Sequence, residues 1–144
     1  MILTILAIVA GVVIGAVLNG AIITIAPTLI PAPAGVDMTT AEGITAALPL
    51  LRPRHFVGPF LAHALGTLVG AFIAAVLAKT RRNVAAYAVG GLFLIGGIAA
   101  CFMIPAPLWF MALDLIGAYI PMAWLGLRIA NALAFKFNRS PLTK

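Results

Sequence analysis

The sequence predicts an all-α integral membrane protein: a four-helix bundle with a short extracytoplasmic surface helix. Three observations carry that prediction. Hydrophobic residues make up 64% of the 144-residue chain and charged residues only 8%, whereas a soluble domain has roughly 45–50% apolar and about 25% charged residues. Mean hydropathy is +1.20. Four apolar runs have a length near the roughly 20 residues a helix needs to cross a hydrocarbon core. The composition excludes a water-soluble globular domain, and it excludes disorder, which needs low hydrophobicity and high charge. The length allows a single transmembrane domain, residues 1–144.

The first span is expected at 2–26, closed by Pro27. No Lys or Arg precedes it, and it is longer than the roughly 7–15-residue core of a signal peptide, so it reads as a retained helix. The second span is 56–78, bounded by His55 and by Lys79, Arg81 and Arg82. The third is 84–104, ended by Pro105-Ala-Pro107. The fourth is 108–127, with a kink expected at Pro121, which removes one backbone hydrogen bond. The remainder, 128–144, is read as a tail, although the fourth helix stretches to Phe135 if Arg128 snorkels or lies in the interface.

Net charge is +6. Lys79, Arg81, Arg82, Arg128, Lys136, Arg139 and Lys144 fall on one side of the expected membrane. Arg52 and Arg54, with the acids Asp37 and Glu42, fall on the other. Seven basic residues against two predict both termini in the cytoplasm by the positive-inside rule. Trp109 and Phe110 then open the fourth span at the outer interface, as an aromatic belt does. Basic residues at span ends meet lipid headgroups rather than nucleic acid, for no aromatic–basic interleaving accompanies them. Arg52, Arg54 and His55 together form a candidate headgroup contact or interfacial anchor.

Residues 27–55 are the one long loop. Its Pro27…Pro31-Ala-Pro33-Ala-Gly35 start is extended or turned. Thr39-Thr40-Ala41-Glu42 then matches a capping box. Ile44, Leu48 and Leu51 follow at helical spacing, predicting a short helix near 40–48, stopped by Pro49 and lying on the outer membrane face.

Helices in lipid associate by close backbone approach, because lipid is as apolar as the helix faces. The second span repeats small residues every fourth position: Ala62, Gly66, Gly70, Ala74 and Ala78. The first carries Ala7, Gly11 and Gly15 on a matching ridge. These ridges should pack against a helix, in the same chain or in a second copy. Gly90-Gly91 and Gly96-Gly97 permit close approach on more than one side of the third span.

Asn19, His63 and Asp114 each lie about 9–11 Å from the outer end of their spans, at roughly 1.5 Å of rise per residue. Thr67 is one turn below His63, and Tyr119 lies between one and two turns below Asp114. Ionisable groups in membrane helices are costly and face the bundle interior or a watery cavity. A shared depth therefore predicts a polar pocket, open to the outside, that binds a small ligand or an ion, or passes a proton. The competing interpretation is a hydrogen-bond cluster that only fixes helix register.

Other chemistries find little support. The only serine, Ser140, is in the tail, against an intramembrane serine hydrolase. Cys101, the single cysteine, excludes an internal disulfide and a CxxC motif, and it sits among apolar residues as a packing group. His63, Asp114 and His55 fall short of a metal site within one chain. A haem would need His63 from two copies, and Met103, Met111 and Met122 are too scattered for a copper path. No nucleotide-binding glycine motif is present. No cofactor or metal is expected, and a membrane enzyme ranks last among the function classes.

Two stretches resemble a group of small four-span bacterial inner-membrane proteins of uncharacterised function. They are His55-Phe-Val-Gly-Pro59-Phe-Leu-Ala-His63-Ala-Leu-Gly66-Thr67-Leu-Val-Gly70-Ala71, and Pro105-Ala-Pro107-Leu-Trp109-Phe-Met-Ala-Leu-Asp114-Leu with Tyr119-Ile-Pro121-Met-Ala-Trp124-Leu-Gly126. Pro31-Ala-Pro33-Ala-Gly35-Val-Asp37 fits the group too. The resemblance spans roughly residues 25–126 and implies the architecture and a bacterial inner membrane, with no activity attached. Two functions follow as expectations: binding or transport at the Asn19, His63, Asp114 level, or a structural subunit docking a partner membrane protein. The small volume enclosed by one chain favours a homo-oligomer or a partner subunit in either case.

Overall fold

The computed structural model describes residues 1–139, and the side chains of residues 1–136. Ser140 and Lys144, and the side chain of Arg139, lie outside this description. Six helices follow in order: α1 (Ile2–Leu29), α2 (Ala41–Ala47), α3 (Val57–Ala78), α4 (Arg82–Met103), α5 (Leu108–Gly117) and α6 (Ile120–Arg139). No strand occurs among the described residues. Four segments are long and apolar enough to cross a membrane: Ile2–Leu29, Pro53–Ala78, Arg82–Met103 and Leu108–Lys136, the last combining α5 and α6.

Three boundaries differ from expectation. Pro27 does not close the first helix but lies inside its final turn. The helix stops at Leu29 because Ile30 precedes Pro31 and is forced extended, at φ −128° and ψ 82°. The fourth span is not one kinked helix. It breaks at Ala118–Tyr119, and Pro121 sits in the first turn of α6, where its missing N–H costs nothing. The segment read as a tail from residue 128 is helical to Arg139, with the Arg128 guanidinium 5.5 Å from the Trp124 ring centroid. At the same end, α3 ends on Lys79 at φ +51°, and the Arg82 side chain reaches back to the Lys79 carbonyl at 3.1 Å and across to Asn131 at 3.4 Å.

A short helix forms at Ala41–Ala47, but Thr40 is its N-cap, accepting from the Gly43 N–H at 3.0 Å. The predicted cap, Thr39, instead donates its N–H and hydroxyl to Asp37 at 2.8 and 2.6 Å. Those bonds hold the Asp37 carboxyl below the usual carboxylate range. Pro49 sits in a short 3₁₀ turn, Leu48–Leu50, that follows α2.

α3 is the central helix, in contact with α1, α4, α5 and α6. Its small-residue ridge packs within the same chain. Ala62, Gly66, Gly70, Ala74 and Ala78 are all buried, as are Ala7, Gly11 and Gly15 on α1. The fit is reciprocal. A Cβ on Gly15 would stand 2.6 Å from the Gly66 carbonyl oxygen, and one on Gly66 would stand 2.9 Å from that of Gly15. Gly11 and Gly70 oppose each other in the same way. Two further contacts rest on the same device: Gly126 of α6 against the Leu68 carbonyl of α3, and Gly90 of α4 against Ala123.

This clamp yields a direct test. Gly15→Ala or Gly66→Ala should cost about 1–3 kcal/mol, because the added methyl meets backbone that cannot rotate away. Gly20→Ala and Gly91→Ala, where a Cβ meets nothing within 4 Å, should leave stability unchanged or slightly raised. Unfolding of all four variants in one detergent distinguishes them, and equal effects at the four positions would remove the clamp.

Candidate functional site

The site is built around Asp114 near the end of α5, which is 4% exposed. A buried carboxylate must be met by donors or a positive charge. The donors come from other elements. The His63 Nδ1, from α3, lies 2.9 Å from each Asp114 oxygen. The Tyr119 hydroxyl donates to Asp114 Oδ2 at 2.9 Å and is 3.2 Å from His63 Nδ1. The phenol and imidazole rings stack, with centroids 5.9 Å apart and planes at 27°.

The break between α5 and α6 sets this geometry. On a continuous helix Tyr119 would sit five positions beyond Asp114 and point away from it. The two non-helical residues, Ala118 and Tyr119, bring the phenol back beside the carboxylate. The turn remains hydrogen-bonded, through Ala118 N–H to the Asp114 carbonyl at 2.9 Å and Ala123 N–H to the Tyr119 carbonyl at 2.8 Å. Gly97 of α4 completes the slot, since a Cβ there would fall 2.6 Å from Tyr119 Cζ. The expectation for Gly97 was helix approach in general; its role is to admit this hydroxyl.

A carboxylate only accepts, so His63 Nδ1 carries a proton, and in the neutral ring Nε2 then presents a lone pair. Among the described residues, Nε2 has no hydrogen-bond partner. Because no buried side-chain nitrogen or oxygen lacks a partner among the described residues, Nε2 is accessible. His63 lines two cavities, of about 400 and about 310 Å³. The larger lies at the end of the bundle that carries α2, with Asp114 and His63 at its floor and Phe56 and Phe110 in its wall. Ile44, Leu48 and Leu51, the spaced apolar residues of the short helix and its sequel, line this cavity. Their spacing was readable; the surface they cover was not.

The other predicted residues divide. Thr67 is buried, but its hydroxyl donates to the His63 carbonyl at 2.7 Å and not to the cluster. That bond satisfies the buried Thr67 hydroxyl within α3. Asn19 shares the smaller cavity with His63 and Tyr119 yet makes no side-chain hydrogen bond. His55 lines the larger cavity, and its Nδ1 accepts the Arg52 N–H at 2.8 Å, while Arg52 and Arg54 are exposed. Phe110 is not an interfacial aromatic: it is buried, 4.8 Å from the Phe56 ring, whereas Trp109 is 48% exposed. Cys101 lines the larger cavity. No group of three or more His, Cys, Asp or Glu side chains converges among the described residues.

Coupling within the cluster is measurable. His63→Ala and Asp114→Ala should each cost about 1–3 kcal/mol, because each leaves a buried polar partner unmatched. The double variant should cost less than their sum by about 0.5–3 kcal/mol. Tyr119→Phe should be destabilising in the parent and near neutral in the Asp114→Ala background. Thermal unfolding in one detergent gives all five values; additive losses would mean that the groups do not interact.

No family model, curated protein or solved structure matches the chain.

Proposed function

We propose that the chain is a small multi-pass protein of the bacterial inner membrane that binds a small molecule at its extracytoplasmic end and exchanges a proton with it through His63. Asp114 and Tyr119 orient the ring. One observation carries this reading: Nδ1 is held by Asp114, while Nε2 is accessible beside two cavities. The larger cavity falls in the roughly 300–1,000 Å³ range of small-molecule sites, with apolar walls and a few convergent polar groups.

Membership of the small four-span bacterial group and cytoplasmic termini are part of this proposal. They rest on the motif stretches and on the basic residues at the ends of α3, α4 and α6. A homo-oligomer or a partner subunit is compatible with it, but the α3 ridge is already occupied by α1 and does not provide the docking face.

Diethyl pyrocarbonate acylates unprotonated imidazole nitrogens and serves as the probe. In a His55→Asn background, the folded protein in vesicles should be modified at His63, and Asp114→Asn, whose amide can donate to Nδ1 and so move the ring proton to Nε2, should slow the reaction. A His63 that reacts only after unfolding would overturn the proposal. Reporter fusions after Arg82 and Lys144 should read cytoplasmic, and one within residues 35–45 periplasmic; the reverse pattern would place the cavity on the other side.

A further inference from the structure

The smaller cavity differs from the larger in where it opens. It lies between α1 and α4, with Ala16 and Asn19 on one side, Leu92 and Gly96 on the other, and His63 and Tyr119 at its back. Ala16, Leu92 and Gly96 are exposed, and so are their apolar neighbours Val13, Val17 and Ile95. Ala16 and Gly96 are each about 21 Å from the start of their helices, at roughly 1.5 Å per residue. In a helix that spans a membrane, such a level faces hydrocarbon. The two cavities share His63, Gly97 and Ala100, so they meet at the imidazole.

We infer that the opening between α1 and α4 is a lateral gateway for an uncharged, membrane-dissolved molecule bearing a hydroxyl: a lipophilic alcohol or phenol. Its O–H donates to His63 Nε2, and its apolar body lies between α1 and α4 toward the bilayer. This rests on the His63 site proposed above. Three features select the ligand class. An opening onto hydrocarbon admits what dissolves there. No Lys or Arg lines either cavity, which disfavours a phosphate or other permanent anion. A lone pair at Nε2 requires a donor from the ligand, and the unpartnered Asn19 amide in the same opening offers a second hydrogen bond.

The test uses the full chain in phosphatidylcholine nanodiscs, with ¹⁵N-labelled histidine and His63 assigned by means of His55→Asn. Addition of 1-decanol should shift the His63 Nε2 resonance, and decane and decyl methyl ether, which have no donor, should not. Gly96→Leu and Ala16→Leu narrow the gateway and should each lose the decanol shift; a Cβ at Gly96 meets nothing within 4 Å, so folding is spared there. Ile44→Trp, which narrows the outer mouth, should retain it. No decanol shift, or an equal shift with the ether, would overturn the ligand class. Loss in Ile44→Trp with retention in the gateway variants would overturn the lateral route. In either case His63 that still reacts with diethyl pyrocarbonate leaves the site itself standing, whereas unreactive His63 removes both.

Discussion

A single buried carboxylate organises one end of this molecule. Asp114 lies on an apolar helix and is 4% exposed, and an unmatched charge buried there is costly. Its two oxygens therefore dictate what must surround them. His63 comes from α3 and Tyr119 from the start of the next element. To deliver Tyr119 the span must break, and to receive its hydroxyl α4 must carry glycine at position 97. A helix interruption, a glycine and two aromatic side chains thus follow from the demands of one ionisable group.

That cluster needs a scaffold that fixes α3 relative to α1, α4 and α6. Between apolar helices in lipid there is little hydrophobic drive, so contact area and close backbone approach supply the association. Small residues serve where side chains would only hold helices apart. Gly11 and Gly15 against Gly66 and Gly70 set the α1–α3 spacing, and Gly126 sets α6 against α3. The core that results is unusual in being mostly alanine, with Val89 and Tyr119 among its few large buried side chains. Large apolar residues such as Val13, Leu92 and Ile95 point outward instead. Burial by size is thus inverted relative to a soluble domain, as expected when the surroundings are as apolar as the core.

The sequence disclosed the parts of this arrangement that depend on periodicity. Apolar run length located four helical segments long and apolar enough to cross a membrane, the every-fourth-residue ridge on α3 found its packing face, and position along the helices brought His63 and Asp114 to one level. It failed where the outcome depended on which of two competing local preferences wins. Pro27 could have ended α1, but it is tolerated in the last turn, and the stop belongs to Ile30 ahead of Pro31. Pro121 could have kinked a continuous helix, but it begins a new one. Thr39 and Thr40 compete for one cap, and Asp37 decides it by engaging Thr39. Equal depth, moreover, says nothing of azimuth. Asn19 reaches the right level without joining the cluster, and Thr67 reaches it and turns back to its own helix.

The break at Ala118–Tyr119 also bears on whether the cluster is more than a fastener. A carboxylate that needs only neutralising is served by one histidine on a neighbouring helix, and a continuous α5–α6 would have kept its backbone bonds. Instead the chain gives up helical continuity inside an apolar segment and adds a phenol that occupies Asp114 Oδ2 and stacks on the imidazole. Those contacts restrict the ring from the Nδ1 side alone. The opposite nitrogen remains accessible, in a ring that borders one cavity beneath the short helix and another between α1 and α4. Restricting rotation while sparing one nitrogen is what preorganisation of a base or hydrogen-bond acceptor requires.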